Sequence, residues 1–456
     1  MSDIKKIQEE RNQNFKNIYE SKIPNRVPVN ITLPFETIAE LAGLNLLEAQ
    51  WNPELIEPAV QYVSERMYTD VVPGGTSLRF PSYYQTLQSK SFVMGTSGVF
   101  QHPDVSGMKP EDFDYLISNP LECIYEIVIP RLYTGLDLNN PIEMMKKFTK
   151  AFKGYQQDKA ITGAIESRIA EKYGYCSIVP TGSSGFTEAP YDFLADTLRG
   201  FRGIAVDIRR RPKQLQAAIE ALYPIVLKKG MPKTISNYGH VFMPLHMPTF
   251  MREVDFANHW WPSFKRLLEE YASMGIHCKI FCEDNWDRYL DYLNDLPTNT
   301  VLLFEYGTPK RIKEKVGKKH IISGLYPVTY FKNHTKEECV DLAKELIDTL
   351  APGGKYIFDF DKRPLSGAEV DLEKFNVVTK AVHEYGVYTS NVGEVVGDVF
   401  HKEDYTVDPK NRNLDSRYYL TKEQMLKENP SLTETGADRM ASVEDEIFDF
   451  LNFLLM

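Results

Sequence analysis

The second half of the chain alternates between short apolar runs and longer helix-like stretches. Four of the apolar runs stop at side chains able to do chemistry. They are His240-Val-Phe-Met-Pro-Leu-His246, His277-Cys-Lys-Ile-Phe-Cys-Glu283, Val301-Leu-Leu-Phe-Glu305 and Lys355-Tyr-Ile-Phe-Asp-Phe-Asp361. Short continuous apolar runs bounded by turn residues predict strands buried on both faces, as in a parallel sheet. Further strands are expected over 26–33, 175–180 and 321–326, each followed by a helical stretch. Counted from residue 26, the alternation leaves room for eight strand-then-helix units. The expected fold is therefore α/β, a (β/α)8 TIM barrel with an N-terminal elaboration, rather than an open doubly wound sheet. In such a barrel the C-terminal strand ends share one face, and that face carries the active site.

Helix signals support this division. A long helix is expected from Pro141 to Tyr173, stopped by Gly174. Another runs to Lys229 with Pro212 in its first turn. Thr335-Lys-Glu-Glu338 is a capping box that opens a third. Pro110 to Leu132 reads as helical throughout. The expected units are an N-terminal helix over 1–25, a barrel over 26–400 and a charged tail over 401–456. The barrel would carry an irregular cap around 68–107, rich in Gly, Pro, Ser and aromatics. The apolar helix near the end of the tail is expected to pack on its own barrel, with a partner subunit of a homo-oligomer as the alternative.

Composition narrows the function classes. The 456 residues carry 53 basic and 63 acidic side chains, a net charge of -10. A chain this acidic is a poor match for nucleic acid or an anionic membrane surface. No apolar run approaches the length of a membrane span. Five cysteines, an odd number, and a polar first stretch predict free thiols in a reducing, cytoplasmic compartment. No Gly-x-Gly-x-x-Gly or Walker-type loop opens a helix, which weakens dinucleotide and nucleoside-triphosphate readings.

The candidate catalytic residues are the strand-end groups Glu283, Glu305, Asp361 and His246. An acid at the end of a buried strand is costly unless paired or bound to metal. Plain alternatives are a helix-capping acid, an ion pair and a hydrogen-bonded core histidine. Glu283, Asp361, His246 and Cys282 form the candidate metal set, with zinc as the expected ion, although alternation places Cys282 on the opposite face from Glu283. Trp260, Trp261, Trp286, Tyr191 and Tyr326 are candidate substrate-lining aromatics, or core. The loop from Gly182 into the helix after Pro190 could hold an anion, or be an ordinary strand-helix connection.

Several stretches together resemble the uroporphyrinogen decarboxylase superfamily. They are Gly185-Phe-Thr-Glu-Ala-Pro-Tyr-Asp192, Trp260-Trp-Pro-Ser-Phe-Lys-Arg-Leu267, Gly275-Ile-His-Cys-Lys-Ile-Phe281, Ile322-Ser-Gly-Leu-Tyr-Pro327 and Gly353-Gly-Lys-Tyr-Ile-Phe358. The likeness spans roughly residues 26 to 390 and implies a (β/α)8 barrel. The superfamily's decarboxylases carry an Arg-Gln-Ala-Gly-Arg motif after the first strand, where this chain reads Ile31-Thr-Leu-Pro-Phe-Glu36. Its thiol methyltransferases carry His-x-Cys on the fifth strand and a later Cys, where this chain has Phe281-Cys282-Glu283 and Asp361. The resemblance thus implies the branch similar to methyltransferase I of bacterial aryl methyl ether O-demethylases. Such an enzyme takes a methyl group from a methoxylated aromatic and passes it to the Co(I) corrinoid of a partner protein. Two other readings stand beside it. One is a decarboxylase-like lyase on a small acidic substrate, for which Arg363, Lys362 and Lys310 are the available cations. The other is a non-enzymatic tetrapyrrole- or corrinoid-binding protein.

Overall fold

The computed structural model describes residues 3–74, 79–178, 185–407, 412 and 414–455. A small antiparallel hairpin, β1 (Val93–Met94) and β2 (Phe100–Gln101), lies in the segment expected to be irregular. The main sheet follows: β3 (Gly185–Phe186), β4 (His240–Leu245), β5 (His277–Asn285), β6 (Val301–Tyr306), β7 (Ile321–Gly324) and β8 (Tyr356–Ile357). All six strands are parallel and pair in chain order. Each connection returns the chain to the same end of the sheet, so the strands' C-terminal ends lie side by side.

Two further segments adjoin the β8 edge. Val29 forms a parallel bridge to Phe358, and Leu33 one to Gly74. The Cys176 backbone N–H donates to the Asp70 carbonyl at 2.8 Å. The strand expected over 175–180 is described only as far as Ile178, and the strand that pairs with β4 begins at Gly185.

The two faces of the sheet differ. Val241, Met243, Ile280, Cys282, Leu302 and Phe304 are buried against the helical layer. On the other face Phe242, Pro244 and His246, then Phe281 and Glu283, then Leu303 and Glu305 remain partly accessible. The period of two along each strand sorts the side chains this way.

The helix Pro141–Tyr173 has the expected bounds. The Asn140 side chain caps its start by accepting from the Glu143 N–H, and Gly174 ends it with φ +63°. The run from Pro110 to Leu132 is not one helix. It breaks at Asn119, whose extended backbone (φ -145°) is what the following Pro120 demands. The late helix Glu434–Phe453 packs on its own chain. Its Phe450 meets Phe148, Phe152 and Tyr155 of Pro141–Tyr173, with ring centroids 5.2–5.5 Å apart. Among the described residues no helix is long and apolar enough to cross a membrane, and all five cysteines are free and buried.

Candidate functional site

His246 follows the last residue of β4 and stands between two acids. Its Nδ1 lies 2.8 Å from Asp196 Oδ2, and its Nε2 lies 3.1 Å from Glu283 Oε2. Burial alone would pull the imidazole pKa down. The Asp196 hydrogen bond and the charges of Asp196, Glu283 and Asp192 outweigh it and raise the pKa to about 9. The side chain is therefore an imidazolium at neutral pH.

The acids around it are pushed the other way. Asp192 is fully buried; its Oδ1 accepts from Trp260 Nε1 at 2.6 Å and its Oδ2 from the His246 backbone N–H at 3.2 Å. Burial and the neighbouring Asp196 carry its pKa well above the usual carboxylate range. Asp196 is raised as well, chiefly by burial. Glu283 is raised by burial, then by the charges of Glu305 and Asp196 against the pull of His246 and Lys362. Glu283 Oε2 and Asp196 Oδ1 are buried oxygens without a hydrogen-bond partner, so the 3.1 Å approach of His246 is ionic contact without hydrogen-bond alignment.

A bulge aims the next part. The β5–β6 register shifts between Cys282 and Asn285, and Asp284 sits at φ +60°, a left-handed conformation rare for a residue with a side chain. This turns the Asp284 N–H to donate to Glu305 Oε2 at 2.8 Å. Lys362 Nζ reaches the other oxygen, Glu305 Oε1, at 2.6 Å. Asp361 is buried, and its Oδ1 accepts from the backbone N–H of Val328 and of Lys362. Burial still raises its pKa to about 6 against those bonds. Four strand ends thus bring His246, Glu283, Glu305 and Asp361 into one electrostatically linked group.

Deeper on the same face, Lys279 Nζ pairs with Asp359 Oδ2 at 3.1 Å, and Asn30 Nδ2 donates to that oxygen too. Between this pair and the strand ends the partly accessible side chains are apolar: Phe186, Phe242, Phe281 and Leu303. Along this face the side chains thus run from the Lys279–Asp359 pair through apolar residues to the acids at the strand ends. Two hollows lie elsewhere, one of about 240 Å³ beside Tyr155 and Asp449, the other of about 180 Å³ beside Arg11 and Tyr68.

The four residues expected to hold a metal are not all brought together: Cys282 faces away from the other three. Cys282 is buried on the helix-facing side, and burial holds its thiol well above its ordinary pKa, so no thiolate reaches Glu283. His246 presents both ring nitrogens to acids, Asp196 and Glu283. Among the described residues no three His, Cys, Asp or Glu side chains are grouped to hold an ion.

The aromatic expectation is also corrected. Trp260, Trp286, Tyr191 and Tyr326 are fully buried and Trp261 nearly so. Trp260 stacks on Phe256 and Phe264, Trp286 donates to the Glu283 carbonyl, and Tyr326 donates to the Cys339 carbonyl. They fill the layer between helices and sheet, where large rings bury most area. Of the loop from Gly182, residues 182–184 lie outside the described residues. Asp192 and Asp196 were not among the expected site residues. Their signal is the four-residue spacing, which sets both acids on one side of a helical turn directly after β3.

The chain matches no family model and no curated protein. Among solved structures, a methyltransferase from Methanosarcina mazei overlaps 82% of this chain and 98% of its own, with 15% sequence identity and a TM-score of 0.49.

Proposed function

We propose that segments 27–33, 69–74 and 176–178 close the six-stranded sheet into a (β/α)8 barrel, and that its open end is the active site of a methyltransferase. The donor is a methyl ether of a methoxylated aromatic, and the acceptor is the corrinoid of a partner protein. The bridges Val29 to Phe358 and Leu33 to Gly74 support the closure. The observation that carries the chemistry is His246 set between Asp196 and Glu283, each with a buried unpartnered oxygen.

Breaking the methyl–oxygen bond of an aryl ether leaves a phenolate, a poor leaving group without a proton or another positive charge at that oxygen. Glu283, on the accessible face of β5, has its pKa raised by burial, which favours its acting as a proton donor. Donated to the ether oxygen as the bond breaks, that proton converts the leaving group to a neutral phenol. His246, with a pKa of about 9, returns it to Glu283, and Asp196 keeps the imidazole in place. Lys362 and the Asp284 N–H hold Glu305 beside Glu283, where its charge favours the protonated acid. A corrinoid bound at this end would supply the Co(I) nucleophile for the methyl group. Phe186, Phe242, Phe281 and Leu303 give the ring an apolar seat.

The test is incubation of the protein with a Co(I) corrinoid protein and a panel of methoxybenzenes, with phenol release read by chromatography. Stoichiometric phenol is expected from at least one donor. No phenol from any donor overturns the reading.

A further inference from the structure

The hollow of about 180 Å³ beside Arg11 and Tyr68 is built by parts of the chain far apart in sequence. Arg11 comes from the helix Asp3–Tyr19, Tyr173 ends the helix Pro141–Tyr173, and Asn376 and Lys380 lie on the helix Leu372–Tyr385. A four-residue step sets Asn376 and Lys380 on one side of their helix, and both line the hollow. None of the strand-end acids does.

Its lining is rich in donors without acceptors. Arg11 is buried, with its guanidinium over the rings of Tyr68 and Tyr175, 5.6 and 5.1 Å from their centroids. Its Nε donates to Asp70 Oδ1, and its Nη1 to the Tyr173 and Gly174 carbonyls. Those bonds hold the group in place and leave Nη2 without an acceptor among the described residues. Asn376 Oδ1 accepts from the Tyr68 N–H at 3.1 Å, so the free end of that amide is the donor Nδ2. Lys380 makes no hydrogen bond or ion pair with any described residue. The acids nearby are already engaged. Arg11 and Arg26 face Asp70 and Glu10. Glu65, at the edge of the hollow, accepts from Tyr173 Oη at 3.1 Å and lies 3.6 Å from Arg66. Lys380 is the charge left over.

A buried donor without an acceptor costs free energy, and an anion relieves that cost with a strong, charge-assisted bond. We propose that this hollow binds a small, singly charged oxyanion, a carboxylate or phosphate group, on Arg11 Nη2, Asn376 Nδ2 and Lys380 Nζ. One excess positive charge calls for a monoanion. The volume lies below the range of about 300–1,000 Å³ typical of drug-sized ligands, so the occupant is smaller than a nucleotide or a corrinoid. A molecule held there joins the helix Asp3–Tyr19 to the helix Leu372–Tyr385. The site stands whichever reaction the strand ends carry out.

The test uses acetate and inorganic phosphate as probes, at a mildly acidic pH where phosphate is largely the monoanion. Ionic strength is held constant with sodium chloride. Binding is read from line broadening of the acetate methyl proton and the phosphate phosphorus signals. At least one probe should saturate a single site on the wild type with a Kd of about 1 mM. The tighter of the two identifies the group as carboxylate or phosphate. Lys380→Glu changes an exposed side chain with no partner to lose and reverses one charge at the hollow. It should weaken binding about tenfold or more. Arg11→Lys keeps a positive charge beside Asp70 and removes Nη2, and it should weaken binding as well, with a melting curve to establish that it is folded. If Arg11→Lys does not fold, Lys380→Glu decides. Failure of both probes to saturate the wild type below about 20 mM, or binding unchanged in Lys380→Glu, overturns the inference.

Discussion

In two clusters of this molecule, buried acids are used to opposite effect. Beside the segment 26–29, Asp70 is buried and fully partnered. Its Oδ1 accepts from Arg11 Nε, Arg26 Nη2 and Tyr68, and its Oδ2 from Arg26 Nη1 and the Val29 N–H. Burial would raise its pKa, but Arg26, Arg11 and the Val29 N–H together lower it. At the C-terminal strand ends Asp192, Asp196, Glu283 and Asp361 are all raised, and two of their oxygens are unpartnered. The first cluster locks the entry of the chain into the sheet. The second surrounds His246 with acids whose pKa values burial raises, which costs stability. Burial supplies the same pressure in both clusters; two arginines decide its outcome in one and a single histidine in the other.

The contrast can be broken at its stable end first. Asp70→Asn leaves Arg11 and Arg26 buried without their counter-charge and should cost about 3–5 kcal/mol, read by urea denaturation. A loss below about 1 kcal/mol would remove the distinction between the two clusters. In the other cluster Glu283→Gln should slow phenol release about a hundredfold, the scale of general-acid catalysis. Its urea midpoint should hold or rise, because a raised acid is replaced by a neutral amide. A lower midpoint with unchanged turnover would reverse the two roles.

The smallest effect is a pH dependence. His246 has its pKa raised from 6.5 to about 9 in the folded protein. The stability from its charged contacts is fully present below pH 6.5 and is lost as pH rises through about 9. The melting temperature of the wild type relative to His246→Gln should therefore fall across that interval. A gap that does not change from pH 6.5 to 9 would mean that the folded histidine is neutral.

Much of this was readable in the sequence because strands advertise their faces. The two-residue period in Phe281-Cys282-Glu283 already set the acid apart from the thiol, and the structure keeps them apart. His246, Glu283, Glu305 and Asp361 stood out because chemistry-bearing groups close otherwise apolar runs. Asp192 and Asp196 did not, because a helix spreads its face over three- and four-residue steps, and acids in a polar-looking helix usually face water. The tryptophans misled for a related reason. Trp260 and Trp261 lie at the start of a helix laid on the sheet, where a large ring serves packing as well as it would a pocket.

The helix Glu434–Phe453 gives one feature of the molecule a temporal side. Its end accepts hydrogen bonds from Tyr133 and Tyr84, through the Leu454 and Phe453 carbonyls. Tyr84 packs on Phe92, Phe92 stacks on His102, and His102 lies within electrostatic reach of Asp196. During synthesis every strand of the sheet leaves the ribosome before that helix does. A nascent chain therefore holds all its strand-end acids while Tyr84 and Tyr133 still lack the carbonyls that accept from them. A chain cut before Phe453 would lose both of these acceptors and leave the Tyr84 and Tyr133 hydroxyls to find others.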